Sequence, residues 1–296
     1  YLTVILAGIP LTMAYNLEAS LLEAVGNSRT PLFLLLFSSV LNIFLDMLFM
    51  GPLGMGVGGA AIATVLAQGV SAVGGFLYIC KNYPELRFGR REMQATRGFV
   101  GDMFTTGLSM ALMSAIYNIG SVILQGSINR LGNAYIAAQV AARRMSELIY
   151  TPGGALGMAV ATYSSQNYGA QKRTRIAQGI KAGTLIYGVW WLIAMVLTFT
   201  AGGHAVRMIT GSADEIVLSA ATRYLYINIP MIPPMAVLVI FRGMLQGTRH
   251  RVSPLLCSAI EMAGKIIFAL WVVPVYGYIA VCICEPITWV ACFLFS

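Results

Sequence analysis

Ser38, Asn42 and Asp46 recur at i, i+4 and i+8 within the apolar run PLFLLLFSSVLNIFLDMLF. That spacing sets a hydroxyl, an amide and a carboxylate along one side of a helix. Thr64, Gln68 and Ser71 give a second oxygen-bearing face in the apolar run that follows, and Thr12, Asn16 and Ser20 a third in the run that precedes. Such oxygens are hard donors suited to a monovalent cation, and equally to a proton relay. A carboxylate in lipid must face a cavity, a cation or a partner, so Asp46 is the leading candidate for chemistry. The alternative is a packing role, with Asp46 hydrogen-bonded to a neighbouring helix.

A second set of charges sits far along the chain. Glu261 and Lys265 are four apart on one helix face, Glu285 follows in the last apolar run, and Arg143, Arg144 and Glu147 interrupt another. Glu261 and Lys265 read as a mutually neutralising pair that lines a cleft or locks helices, with a substrate or gating role as the alternative. For Arg143, Arg144 and Glu147 a cavity-facing stripe and an internal salt bridge are both open. Arg242, near a helix end, is expected to snorkel to the membrane interface. His204 and His250 are the only histidines, and there is no HExxH, GxSxG or phosphate-binding loop. No enzyme and no cofactor is therefore expected.

The elements that must carry these residues are set by composition. Hydrophobic residues make up 58% of the chain and charged residues 10%, with a mean hydropathy of +0.76; a soluble domain carries roughly a quarter charged residues. Apolar runs of about 20 residues specify membrane-spanning helices, not the shorter alternating strands of a barrel. Nine spans are predicted, over residues 1–25, 31–51, 57–80, 98–129, 133–165, 175–201, 217–247, 254–274 and 277–296. The five cysteines show no CxxC spacing and read as small apolar side chains.

Residues 1–45 and 224–268 align without a gap, matching Tyr1 with Tyr224, Pro10 with Pro233, Leu22 with Leu245 and Pro31 with Pro254. In this register Lys265 repeats Asn42, and Glu285 repeats Thr64 after a short deletion. Duplicated blocks of membrane helices mark secondary transporters. An even number of helices separates the copies, so the halves are predicted to be parallel six-helix repeats, with a transport path between them. The predicted organisation is the last three helices of a first lobe over 1–82, a basic linker over 83–97 and a six-helix lobe over 98–296. The chain opens on Tyr and stops inside an apolar run, and it reads as an internal piece of a twelve-helix parent, three helices short at the front.

Basic residues fall on alternate connections. Arg29, Lys81, Arg87, Arg90, Arg91, Arg97, Lys172, Arg173, Arg175, Lys181, Arg249 and Arg251 share one side, against Arg130 and Arg207 on the other. The positive-inside rule places the first set in the cytoplasm, so a multi-pass protein of the cytoplasmic membrane is expected. Scatter over short loops also explains the net charge of +8 without nucleic acid.

The segments YNLEASLLEAVGNSRTPLF, SSVLNIFLDMLF, GVGGAAIATVLAQ, AAQVAARRMSELIYTPGGALGMAVATYSSQNYGAQ and FRGMLQGTRHRVSP resemble the multidrug and toxic compound extrusion (MATE) family over nearly the whole chain. The resemblance implies a monomeric, cation-coupled antiporter that exports organic, often cationic, compounds in exchange for a proton or sodium ion. It also implies a cation site in the first half at Asn42, Asp46 and Thr64, with Tyr1 nearby. A further Asp of that site belongs to the family's first helix, ahead of the stretch resembled. Other members carry a carboxylate on the seventh helix, where this chain has Tyr117 and no acid between Met103 and Asn129. The runner-up is a lipid-linked oligosaccharide flippase of the same superfamily. A membrane receptor or structural protein is the alternative of a different class.

Overall fold

The computed structural model describes residues 1–86, 97–211, 214–248, 250 and 252–295. Among them the long elements are all helical: α1 Leu2–Ala24, α2 Arg29–Met50, α3 Gly56–Asn82, α4 Arg97–Asn129, α5 Asn133–Gly169, α6 Arg173–Thr210, α7 Glu215–Gly247, α8 Val252–Tyr276 and α9 Tyr278–Phe295. These nine helices fall on the nine predicted spans. Eight are long and apolar enough to cross a membrane. The exception, α5, carries Arg143, Arg144 and Glu147 in its first half and a Gly-, Ser- and Thr-rich second half. Apolar side chains cover most of the outer surface, with Leu36, Phe44, Val122, Leu148 and Leu185 all more than half exposed. In water that surface would be untenable, and in lipid it is required; the chain is a multi-pass membrane protein. Of the basic residues assigned to connections, Arg87, Arg90, Arg91, Arg249 and Arg251 lie outside the described residues, as does most of the 83–97 linker.

Helix ends follow local chemistry. Gly211 adopts φ 57° and closes α6, a left-handed cap that glycine enters without steric cost. Asp214 caps α7, its carboxylate accepting from the Ile216 N–H at 2.9 Å.

Two compact units are formed, Tyr1–Thr96 and Arg97–Ser296. In the first, α1 and α2 both pack on α3, whose buried Ala61, Ala63, Ala67 and Ala72 allow close approach. In the second, α5 packs against α6 and α7, α4 lies along α8, and α9 closes on α7 and α8. Its core holds Leu124, Ile128, Tyr187, Tyr224, Leu225, Ile229 and Ile232.

Small residues fix the closest crossing of that second unit. A Cβ on Gly243 would lie 2.3 Å from the Gly157 carbonyl oxygen, and one on Gly247 would lie 2.2 Å from that of Ala161. Each helix therefore presents a small-xxx-small pair to the other.

Helix breaks occur where proline or crowding removes backbone bonds, and side chains repair them. Pro233 has no N–H for the Ile229 carbonyl, beside a 3₁₀ turn over Ile229–Met231; the Trp191 indole N–H donates to that oxygen instead, at 3.0 Å. In α8 a π turn spans Phe268–Val272, and Ser127 donates to the Ala269 carbonyl at 2.8 Å. Pro10, by contrast, sits within an unbroken α1.

Gly243→Ala should lower the stability of the purified full chain by about 2 kcal/mol, because backbone atoms of α5 must move. Gly188→Ala, where a Cβ meets nothing within 4 Å, should be neutral or stabilising by up to about 1 kcal/mol. Thermal melting in detergent distinguishes the two, and equal effects would contradict the close crossing.

Candidate functional site

In the first unit α2 and α3 bring Asn42 and Thr64 together. The Asn42 amide donates to the Thr64 hydroxyl at 3.4 Å, and that hydroxyl donates to the Ala60 carbonyl at 2.9 Å. One turn along α2, the Asp46 Oδ1 is buried and accepts no hydrogen bond. A buried carboxylate oxygen without a donor is costly.

The other oxygen-bearing faces divide. Thr12 donates to the Gln68 side-chain oxygen, and Ser71 donates to the Leu34 carbonyl at 3.1 Å. Asn16 and Ser20 are exposed. Eight residues turn a helix through about 80° beyond two full turns, so a face that begins at Thr12 has rotated outward by Ser20. Tyr1 is 61% exposed at the start of α1. Neither Tyr1 nor Asn16 bonds to Asn42, Asp46 or Thr64 among the described residues. Glu18, which the sequence pattern did not single out, is 9% exposed with its Oε2 unpartnered beside Gly75.

The second unit holds a cavity of about 340 Å³. Its lining includes Tyr117, Arg143, Tyr150, Arg242, Glu261 and Glu285. Lys265 lies beneath it, with 0% of its surface exposed. Its ammonium is 3.7 Å from Glu261 Oε1, donates to Ser121 Oγ at 3.1 Å and stands 3.6 Å from the centroid of the Tyr117 ring. Three donors meet a carboxylate, a hydroxyl and a π face, which completes the inventory of an ammonium. Gly120 makes room: a Cβ there would sit 3.2 Å from the lysine Cδ.

Glu285 belongs to a separate pair. Its Oε2 accepts from the buried Tyr224 hydroxyl at 2.7 Å, and Tyr224 is fixed on α7 beside Asn228, which donates to the Tyr224 and Cys282 carbonyls at 2.9 Å. Tyr150 meets Trp289 edge-on at 5.8 Å between centroids. On α5 both readings of the charged stripe hold in part: Arg143 and Glu147 line the cavity, while Arg144 reaches Glu147 at 3.7 Å on an exposed surface. Arg242 departs from expectation. It lines the cavity with Nε and Nη2 buried and unpartnered, where snorkelling was predicted. The repeat alignment contained the signal for Tyr224 and Glu285, since both stand at copies of first-half candidates.

Replacing Lys265 with Met should cost about 3–5 kcal/mol, because Glu261 is left buried and uncompensated. Combining it with Glu261→Gln should recover most of that loss in a thermal melt. A double variant as unstable as the single one would show that the pair is not what holds this region.

Residues 109–271 match the MatE family. The probable multidrug resistance protein YpnP of Bacillus subtilis (strain 168) is 26% identical over 220 residues, covering 73% of this chain and 48% of that protein. The multidrug export protein MepA of Staphylococcus aureus (strain N315) is 25% identical over 248 residues, covering 84% and 54% respectively. The chain thus spans about half the length of the curated relatives it matches. Among solved structures, an outward-facing multidrug resistance MATE family transporter of the MOP superfamily superposes with a TM-score of 0.83 at 20% identity, over 98% of this chain and 66% of that one. The Vibrio cholerae MATE transporter VcmN in its bent form gives 0.81 at 20% identity, over 99% and 67%. With more than half of its residues inside the family match and its fold shared with these transporters, the chain belongs to the MatE family.

Proposed function

We propose that this chain is part of a cation-coupled antiporter that exports small organic compounds, cationic ones among them, across the cytoplasmic membrane by alternating access. The observation that carries the reading is the Asp46 carboxylate. One of its oxygens is buried without a donor, one turn from an amide held by Thr64. Such a group binds a proton or a sodium ion when the path to it is open, and its charge is compensated only while it does so. Substrate release coupled to loading of Asp46 follows from that compensation, with Asn42 and Thr64 supplying neutral oxygens. The second unit contributes substrate contacts through the cavity bounded by Tyr117, Glu285 and Trp289.

Family membership, the multidrug export name of MepA and the multidrug resistance name of YpnP support export as the direction and small organic molecules as the cargo. Orientation is supported by charge. Arg29, Lys81, Lys172, Arg173 and Arg175 cluster at alternate helix ends, against Arg130 and Arg207 at the others, which favours a cytoplasmic location for the first set.

Efflux of a fluorescent organic cation from cells producing the full chain, under imposed proton or sodium gradients, tests the reading. Gradient-driven efflux should fall by tenfold or more, on the order of the loss of one essential charge, in Asp46→Asn. The gradient that drives efflux in the unmodified protein identifies the coupling ion. Efflux unchanged in Asp46→Asn would reduce that residue to a packing role.

A further inference from the structure

The cavity of the second unit contains three acidic and two basic side chains at its wall, with Lys265 beneath, yet their commitments are unequal. Glu261 is held by Lys265, Glu147 is reached by Arg144, and Glu285 takes the Tyr224 hydroxyl. No carboxylate among the described residues pairs with Arg143 or Arg242. Arg242 presents Nε and Nη2 as buried donors without an acceptor, and the Tyr150 hydroxyl, with Ser146 as its neighbour, also lies on the cavity wall. The unmet donors of Arg242 therefore face a space in which each carboxylate already has a partner, with Glu261 near enough to feel the Arg242 charge. A guanidinium left dry and unpaired is costly, and its planar donor pair matches a carboxylate.

The apolar walls complete the description. Tyr117, Tyr150 and Trp289 present aromatic surface, and about 340 Å³ suits a ligand of one or two rings. We propose that this cavity binds a small aromatic carboxylate, with Arg242 as the anchor of its oxyanion and Tyr150 as a second donor. The inference deepens the reading of this unit as the substrate-binding part of an exporter, and in that sense rests on it. A phosphate headgroup offers the same oxyanion chemistry, so the test must separate a soluble acid from lipid.

Equilibrium binding of 1-naphthoate and of the neutral 1-naphthamide to the full chain in neutral detergent, by calorimetry and with no ion gradient, makes that separation. Naphthoate should bind about tenfold more tightly than the amide, the value of one charge-assisted hydrogen-bonding pair. Arg242→Gln should abolish the difference, Arg242→Lys should keep part of it, and Tyr150→Phe should weaken the acid several-fold without moving the amide. Equal affinities for acid and amide in the unmodified protein would overturn the proposal. So would a preference for the acid that survives both Arg242→Gln and Tyr150→Phe. If phosphatidylglycerol in mixed micelles displaces naphthoate only when Arg242 is present, the oxyanion site belongs to a lipid and the substrate assignment falls. Because no gradient is applied, naphthoate binding retained in a protein without cation efflux would sink the transport reading and leave this site standing.

Discussion

An ammonium group with no exposed surface, buried among membrane helices, constrains everything around it. Lys265 must be given its full set of acceptors inside the protein, and they come from two elements: Glu261 on its own helix, and Ser121 and Tyr117 on α4. Those contacts fix the register of α4 against α8, since Tyr117 and Ser121 are one turn apart and both must face the same nitrogen. They also require Gly120, which lies between them against the lysine stem. A desolvated charge of this kind adds little net stability, yet removing either partner leaves the other stranded. Its contribution is positional: α4 and α8 can slide past one another only by breaking a hydrogen bond and a cation–π contact together.

Backbone polarity imposes the same discipline a few residues away. Below Lys265 the chain passes into the π turn Phe268–Val272, and a carbonyl oriented away from its regular partner takes the Ser127 hydroxyl from α4. The proline break in α7 is closed by Trp191 in an equivalent way. In lipid an unpaired carbonyl costs several kcal/mol, so irregular backbone survives only beside a donor from a neighbouring helix. These repairs tie α4 to α8 and α6 to α7 at points where the helices would otherwise be weakest. The cavity lies between elements that are stapled in this manner, which keeps its walls in place around donors that have no internal acceptor.

How much of this was readable beforehand differs by level. Nine helices among the described residues followed from hydrophobic length, because lipid leaves the backbone no other economy, although α6 runs on to Thr210, past the predicted end at 201. The pairing of Glu261 with Lys265 followed from spacing on a single helix, and the grouping of Asn42 with Thr64 from the family resemblance. Contacts between helices distant in sequence did not. Tyr224 with Glu285 and Tyr117 with Lys265 depend on rotations about helix axes that periodicity leaves free. Asn16 and Ser20 show the limit from the other side, since an i, i+4, i+8 row drifts off its face. Arg242 was misread because a long cationic side chain near a helix end usually reaches for the interface, and here a cavity offered a nearer polar surface. The GMLQG and GMAVA segments that set the α5–α7 crossing were not singled out, since small-xxx-small spacing means something only once the facing segment is known.

The repeat gives these observations their sharpest contrast. Lys265 occupies the copy of the position held by Asn42, and Glu285 that held by Thr64. In the second unit, therefore, a covalently attached cation sits where the first unit has a neutral amide, and that cation is satisfied by the protein itself. In the first unit the corresponding region keeps its carboxylate, Asp46, with an oxygen that nothing satisfies. A tethered ammonium cannot leave, whereas a proton or a sodium ion can. The two copies thus differ in kind: one unit holds a permanent positive charge that organises structure, and the other a buried carboxylate oxygen without a hydrogen-bond donor.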